Sequence, residues 1–244
     1  PGVTLAQWQP QTIEELETAV NMWVNDNETA LATYGEINTW DVSLMDELDS
    51  IFYGATSFND DISNWDVSNV TNMNGLFTGA TSFNQDLSSW NVSNVTNMYG
   101  SFWEAANFNQ DISSWNVSSV TSMRKMFNAA TSFNQDISSW DVSSVTNMAL
   151  MFENANALSD DNKCAIHTSF SSNDAWNYDW SGFCVPELTP ITQDNIQEAV
   201  DAWCFNPDST EAIYGHISDW DVSAVTDMSN LFQNKQTFND DIGG

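Results

Sequence analysis

A 25-residue unit recurs without a gap along this chain, and that regularity limits what it can fold into more than any other feature. Trp40, Trp65, Trp90, Trp115 and Trp140 mark five successive copies, each followed by Asp or Asn, then Val and Ser, and a sixth copy stands at Trp220. Periods of about 20 to 50 residues belong to arrays in which one small unit stacks on the next. The opening segment returns at an offset of 180: Leu16, Ala19, Val20 and Trp23 reappear as Ile196, Ala199, Val200 and Trp203, and Tyr34-Gly35 as Tyr214-Gly215. The organisation read from this is a helical N-terminal cap (1-39), a five-coil solenoid (40-155), a C-terminal cap (156-186), and the cap and first coil of a second, incomplete module (187-244).

Thr12-Ile13-Glu14-Glu15 reads as a capping box ahead of Leu16, Ala19, Val20 and Trp23, spaced as one face of a helix. Within a coil, Ile62-x-x-Trp65-x-Val67 alternates like a short strand. Met73, Leu76, Phe77 and Ala80 share a helical face. The expected coil is therefore strand, turn, short helix and return, an α/β fold class, with the Trp column buried as a spine rather than exposed as a sugar-stacking platform.

The 41% apolar content and 12 tryptophans supply a core, so 34 acidic against 4 basic residues do not indicate disorder. A formal charge of −30 disfavours nucleic acid and anionic membranes. No apolar run reaches the ~20 residues of a membrane span. Beginning at Pro1, without Met or a signal peptide, the chain reads as a processed product or an excerpt. Few lysines and many Ser, Asn, Thr and Asp suit an extracellular setting.

Candidate sites follow the repeat. Asp41, Asp66, Asn91, Asn116 and Asp141 form an outward ladder that a hard cation such as Ca2+ would fit, and Asp61, Asp86, Asp111 and Asp136 form a second. The stronger reading is that these side chains bond turn backbone within each coil, with the cation site as the second. Cys164 and Cys184 bracket the irregular 156-184 stretch, and a bridge between them would close the C-terminal cap; Cys204 is then read as a buried thiol, with an intermolecular bridge or pairing with Cys184 as the alternatives. Asn69 and Asn94 lie in turns and match the glycosylation pattern. His167 and His216 fall in different modules, and Arg124-Lys125 hold half of the chain's cations. None of these makes a catalytic pattern, which places a hydrolase third among the readings.

Written as FNQDISxWxVSxVTxMxxMFxxA, the repeat resembles the BspA-type bacterial surface-protein repeats, also found in mycoplasma lipoproteins and related to leucine-rich repeats. Phe83, Asn84, Asp86, Trp90, Val92, Val95, Met98 and Phe102 match it position by position; Ser101 and Lys235 depart from it. The resemblance implies a leucine-rich-repeat-like solenoid and a non-enzymatic extracellular protein of adhesion or surface architecture, needing no cofactor. Its expected partners are copies of itself or further modules placed end to end in a filament, stalk or layer. The second reading is a ligand-binding module that uses the acidic strand face for a glycan, a peptide or surface protein, or a cation.

Overall fold

The computed structural model describes residues 7–184 and 188–242. The chain divides into two compact units, Pro1–Cys184 and Val185–Gly244.

The first unit opens with helix α1 (Ile13–Asn25), whose N-cap Thr12 accepts the Glu15 amide and whose buried stripe is Leu16, Ala19, Val20 and Trp23. The reciprocal half of the cap is displaced by one residue, because the Glu15 carboxylate accepts from the Gln11 amide at 2.7 Å. Asp26 closes α1 and caps α2 (Asn27–Tyr34), a helix the sequence reading did not separate. Trp8 packs between Tyr34 and Trp40 at centroid distances of 4.6 and 4.9 Å and covers the first coil.

The coils themselves correct the expected fold class. They contain neither strand nor helix among the described residues, so the α/β solenoid of leucine-rich-repeat-like strand-turn-helix coils does not form. Among the described residues the ladder is a set of isolated parallel bridges, Glu47 to Asn72, Asn97, Ser122 and Asn147, one residue per coil. The helix expected over Met73–Ala80 fails for a traceable reason. The amides of Met73, Gly75, Phe77 and Gly79 donate to the carbonyls of Asn97, Tyr99, Ser101 and Trp103 in the next coil, while those of Leu76, Thr78 and Ala80 close local turns three residues back. Alternate amides thus leave the coil, and no run of i to i−4 bonds can develop.

Backbone handedness follows the same alternation. Gly75 and Gly79 have φ of 61° and 71°, as do their equivalents with side chains, among them Ser50 at 57°, Lys125 at 58° and Ala129 at 55°. The left-handed region is unfavourable for residues with a Cβ. At Ser50, Lys125 and Ala129 it is held by the amide, which donates to a carbonyl of the next coil, at Asn74, Ala149 and Glu153.

Stacking makes the core continuous. Phe52, Phe77, Phe102, Phe127 and Phe152 lie ring on ring at 5.3 to 5.7 Å. Trp40, Trp65, Trp90, Trp115 and Trp140 are buried, and the indole N–H of the last four donates to the carbonyl 28 residues earlier, Ile37, Ile62, Leu87 and Ile112. A buried Trp needs such an acceptor. The sugar-platform alternative therefore has no exposed ring to use in this column.

The far end is closed by α3 (Asp160–Phe170), which buries Ile166 and Phe170, and by Trp176, Tyr178 and Trp180 packed on Phe152. In earlier coils the Phe amide donates to the next coil's carbonyl; at Phe152 the Tyr178 hydroxyl takes that place at 2.9 Å.

The second unit repeats the first design with α4 (Ile196–Phe205) and α5 (Pro207–Tyr214). Trp203 donates to Asp240 at 2.8 Å as Trp23 does to Asp60 at 2.8 Å. Its coil is open on one face. Met228 is 49% and Ile242 53% exposed, where their counterparts Leu48 and Ile62 are fully buried.

Candidate functional site

The polar columns are the part of the molecule from which chemistry was expected, and they are built by turns. In the first ladder the Oδ1 atoms of Asp41, Asp66, Asn91, Asn116 and Asp141 each accept the backbone N–H two residues on, at Ser43, Ser68, Ser93, Ser118 and Ser143, over 3.0 to 3.2 Å. Asp61, Asp86, Asp111 and Asp136 do the same with Ser63, Ser88, Ser113 and Ser138 at 2.8 to 2.9 Å. These are Asx turns, which the side chains of Asp and Asn form equally well. Asp41 also receives Gln9 Nε2 at 2.7 Å. Among the described residues no three His, Cys, Asp or Glu side chains gather as a metal site would require.

The Asn column ties one coil to the next. Asn59, Asn84, Asn109 and Asn134 each accept, through Oδ1, the amide of the residue 25 positions on, ending at Ser159. Asn69 and Asn94 use their side-chain nitrogens similarly, donating to the carbonyls of Ser43 at 2.8 Å and Ser68 at 2.7 Å. Attaching a glycan to either nitrogen in the folded chain would disturb that inter-coil bond.

The Ser68 hydroxyl and amide beside Asp66 hold its carboxyl below the usual range. The Ser88 and Ser113 groups do so for Asp86 and Asp111. A depressed folded pKa means that the stabilisation is complete above the unfolded value of about 3.9 and is lost as pH falls through the lower folded value. Asp66→Asn is therefore expected to change stability by about 0.5 kcal/mol or less at pH 7, because Asn91 and Asn116 already make this turn. It should also remove part of the stability loss below about pH 4. Parallel melts at pH 7 and pH 3 check both; a large loss at pH 7 would contradict the turn role.

Cys164 and Cys184 form a disulfide with a Cα separation of 4.8 Å, tying α3 to the end of the cap. Closing a loop with a sequence separation of 20 is worth about 3 kcal/mol in the chain-entropy model. Reduction is expected to speed amide exchange in 156–184 before the coils respond; uniform exchange throughout the unit would show that the bridge does not act locally. His167 is also on α3, its Nδ1 accepting from Trp176 Nε1 at 3.0 Å, while His216 is in the other unit and bonds Ser218. Cys204 is half-buried at the end of α4, and burial pushes its thiol pKa up.

The two departures from the repeat are accommodated. Ser101 is buried, with its hydroxyl donating to the Met73 carbonyl at 2.8 Å, and Lys235 pairs with Asp201 at 2.9 Å. A third group of departures, which carries no motif in the sequence, is Tyr99 and Trp103, and the structure brings them against Arg124 and Lys125. Alignment of the coils by eye would have exposed it, since Asn74, Gly75 and Thr78 hold these positions one coil earlier.

Fold and columns define a tandem-repeat protein whose coils are made of turns and whose polar side chains join coil to coil. The chain belongs to the family described as Mycoplasma protein of unknown function, DUF285, whose model matches residues 18–113, 90–181 and 202–244. That membership covers the repeat but does not specify the BspA type. No curated protein and no solved structure matches the chain.

Proposed function

We propose that this is a non-enzymatic extracellular repeat protein that serves as structural or adhesive material at a cell surface, its modules following one another in a stalk or layer. The observation that carries the reading is the use of the polar columns. Residues that would do chemistry elsewhere here link neighbouring coils or fix their turns, from Asn59 through Ser159. A stack bonded in this way at every level resists bending and stretching along its axis. The resemblance to BspA-type surface repeats supports the location, as does a disulfide, which persists in oxidising surroundings. No helix among the described residues is long and apolar enough to cross a membrane.

The closed ends refine how modules would join. Helices α1 and α2 with Trp8 cover one end of the first array, and α3 with the aromatic cap covers the other. Modules of this design are joined by the chain or through their caps, since a capped array offers no free coil edge for stacking. Electron microscopy of the native full-length protein tests this: slender particles on the cell surface, lengthening with the number of modules, are expected. Compact intracellular particles with a catalytic turnover would overturn it.

A further inference from the structure

Two coils depart from the repeat on one surface. Where the second coil has Asn74, Gly75 and Thr78, the third has Tyr99, Gly100 and Trp103, and the fourth has Arg124, Lys125 and Asn128. Register stacking makes the departures neighbours. The Arg124 guanidinium sits 5.7 Å from the centre of the Tyr99 ring, and Lys125 Nζ lies 3.8 Å from the centre of Trp103. Both rings and Lys125 are half-buried, Arg124 is exposed, and Tyr53, two coils before Trp103 in the same column, is 69% exposed.

The charges at this place run against the rest of the molecule. Of the 4 basic residues, Lys163 is paired with Asp160 and Lys235 with Asp201. Arg124 and Lys125 form no ion pair and no side-chain hydrogen bond among the described residues, although the chain carries 34 acids. Lys125 moreover holds a left-handed φ of 58° at a position where two coils have glycine. The carboxylates in the same columns are turned to other partners: Asp49 accepts from Ser50 and Asn74, and Glu153 accepts from Asn128.

A guanidinium with its planar fork of donors unused matches the two oxygens of a carboxylate. Cation–aromatic contact fixes both basic groups without neutralising them. Each ring has one face under a cation and stays half-exposed beside it, which leaves apolar surface for a pyranose to pack against. At physiological salt the screening length is about 8 Å, so acids farther than that act only weakly on a sugar carboxylate bound at these two cations. Over the larger footprint of a nucleic acid or an anionic membrane, the acidic surface would repel.

We propose that Tyr99, Trp103, Arg124 and Lys125 form a binding site for a uronate-bearing glycan. The sugar carboxylate lies on Arg124 and Lys125, and the ring rests against the aromatic side chains. This goes beyond the structural role and is tested separately from it, in solution.

The test is calorimetric titration of the whole chain with oligogalacturonate, with a neutral oligosaccharide of equal length and phosphatidylserine vesicles as the other arms. The matched variant is Tyr99→Asn, Trp103→Thr, Arg124→Asn and Lys125→Gly together, each replacement being the residue that the second coil carries at that position. Lys125→Gly alone, which restores the glycine of positions 75 and 100, is the variant safest for folding. Expected are binding of oligogalacturonate that weakens with added salt, at least a tenfold loss in the fourfold variant, a smaller loss in Lys125→Gly, and no binding of the neutral sugar. The proposal is overturned if oligogalacturonate does not bind, if Lys125→Gly and a folded fourfold variant both bind it as the parent does, if the neutral sugar binds equally well, or if only the vesicles bind.

Discussion

Trp90→Ala is expected to lower the stability of the first unit by about 3–5 kcal/mol, the range of a large-to-small change in a packed core. Trp90 is 4% exposed, stacks on Phe77 at 6.3 Å and donates to the Ile62 carbonyl at 3.2 Å. Its removal leaves a void in the spine and a carbonyl without its donor, and an unsatisfied buried group alone costs about 1–3 kcal/mol. The loss should also change the shape of unfolding. In a stack each coil contacts only its neighbours, so a defect at the third coil separates two shorter arrays and broadens the transition. Denaturant melts followed by Trp emission and by far-UV dichroism would read both effects. Ser89→Ala, which removes an exposed bond to the Ser63 carbonyl, is the control and should cost little. A Trp90→Ala melt within a degree of the parent would mean that the Trp column is not the core.

The second large effect concerns the open face of the second unit. Trp220, Val222 and Phe232 are half-buried there, beside an open apolar pocket of about 320 Å³ lined also by Ile196, Val200, Met228 and Ile242. In the first unit the corresponding Trp40, Val42 and Phe52 are buried under the coil that carries Trp65 and Phe77. Joining a copy of residues 63–184 behind Ile242 is expected to bury the face in the same way. Each large side chain that passes from exposed to buried contributes roughly 1.5–3 kcal/mol, and less where it is already half covered. Hydrogen exchange in α4 reads the result, because Ile196 and Val200 pack on this face. Slower exchange by a hundredfold or more is expected; unchanged exchange would show that the two units do not share one design.

The departures from the expected coil show where sequence reasoning stops. Periodicity identified Met73, Leu76, Phe77 and Ala80 as buried, and all four are. It could not tell a helix from another conformation with the same inward positions, because the choice lies in where Met73, Gly75, Phe77 and Gly79 send their amides. Those acceptors sit about one repeat further along the chain. Recurrent Gly75, Gly79 and Gly100 were the available signal, since an ordinary helix does not tolerate glycine so regularly, but Lys125, Ala129 and Leu150 at equivalent positions conceal it.

What the sequence determined by itself is whatever depends on composition and register: the 25-residue repeat, the 180-residue offset, the α1 stripe, and the residues that face inward. Cysteine spacing likewise pointed to the Cys164–Cys184 bridge that the structure contains. Tertiary structure alone decided the handedness of each turn, the use of Asn as an inter-coil link, and the meeting of Tyr99 and Trp103 with Arg124 and Lys125. The physical reason is common to all three. A side chain's burial is largely fixed by its own polarity and its position in the repeat, whereas the direction of a hydrogen bond or a cation is fixed by what the next coil places opposite it.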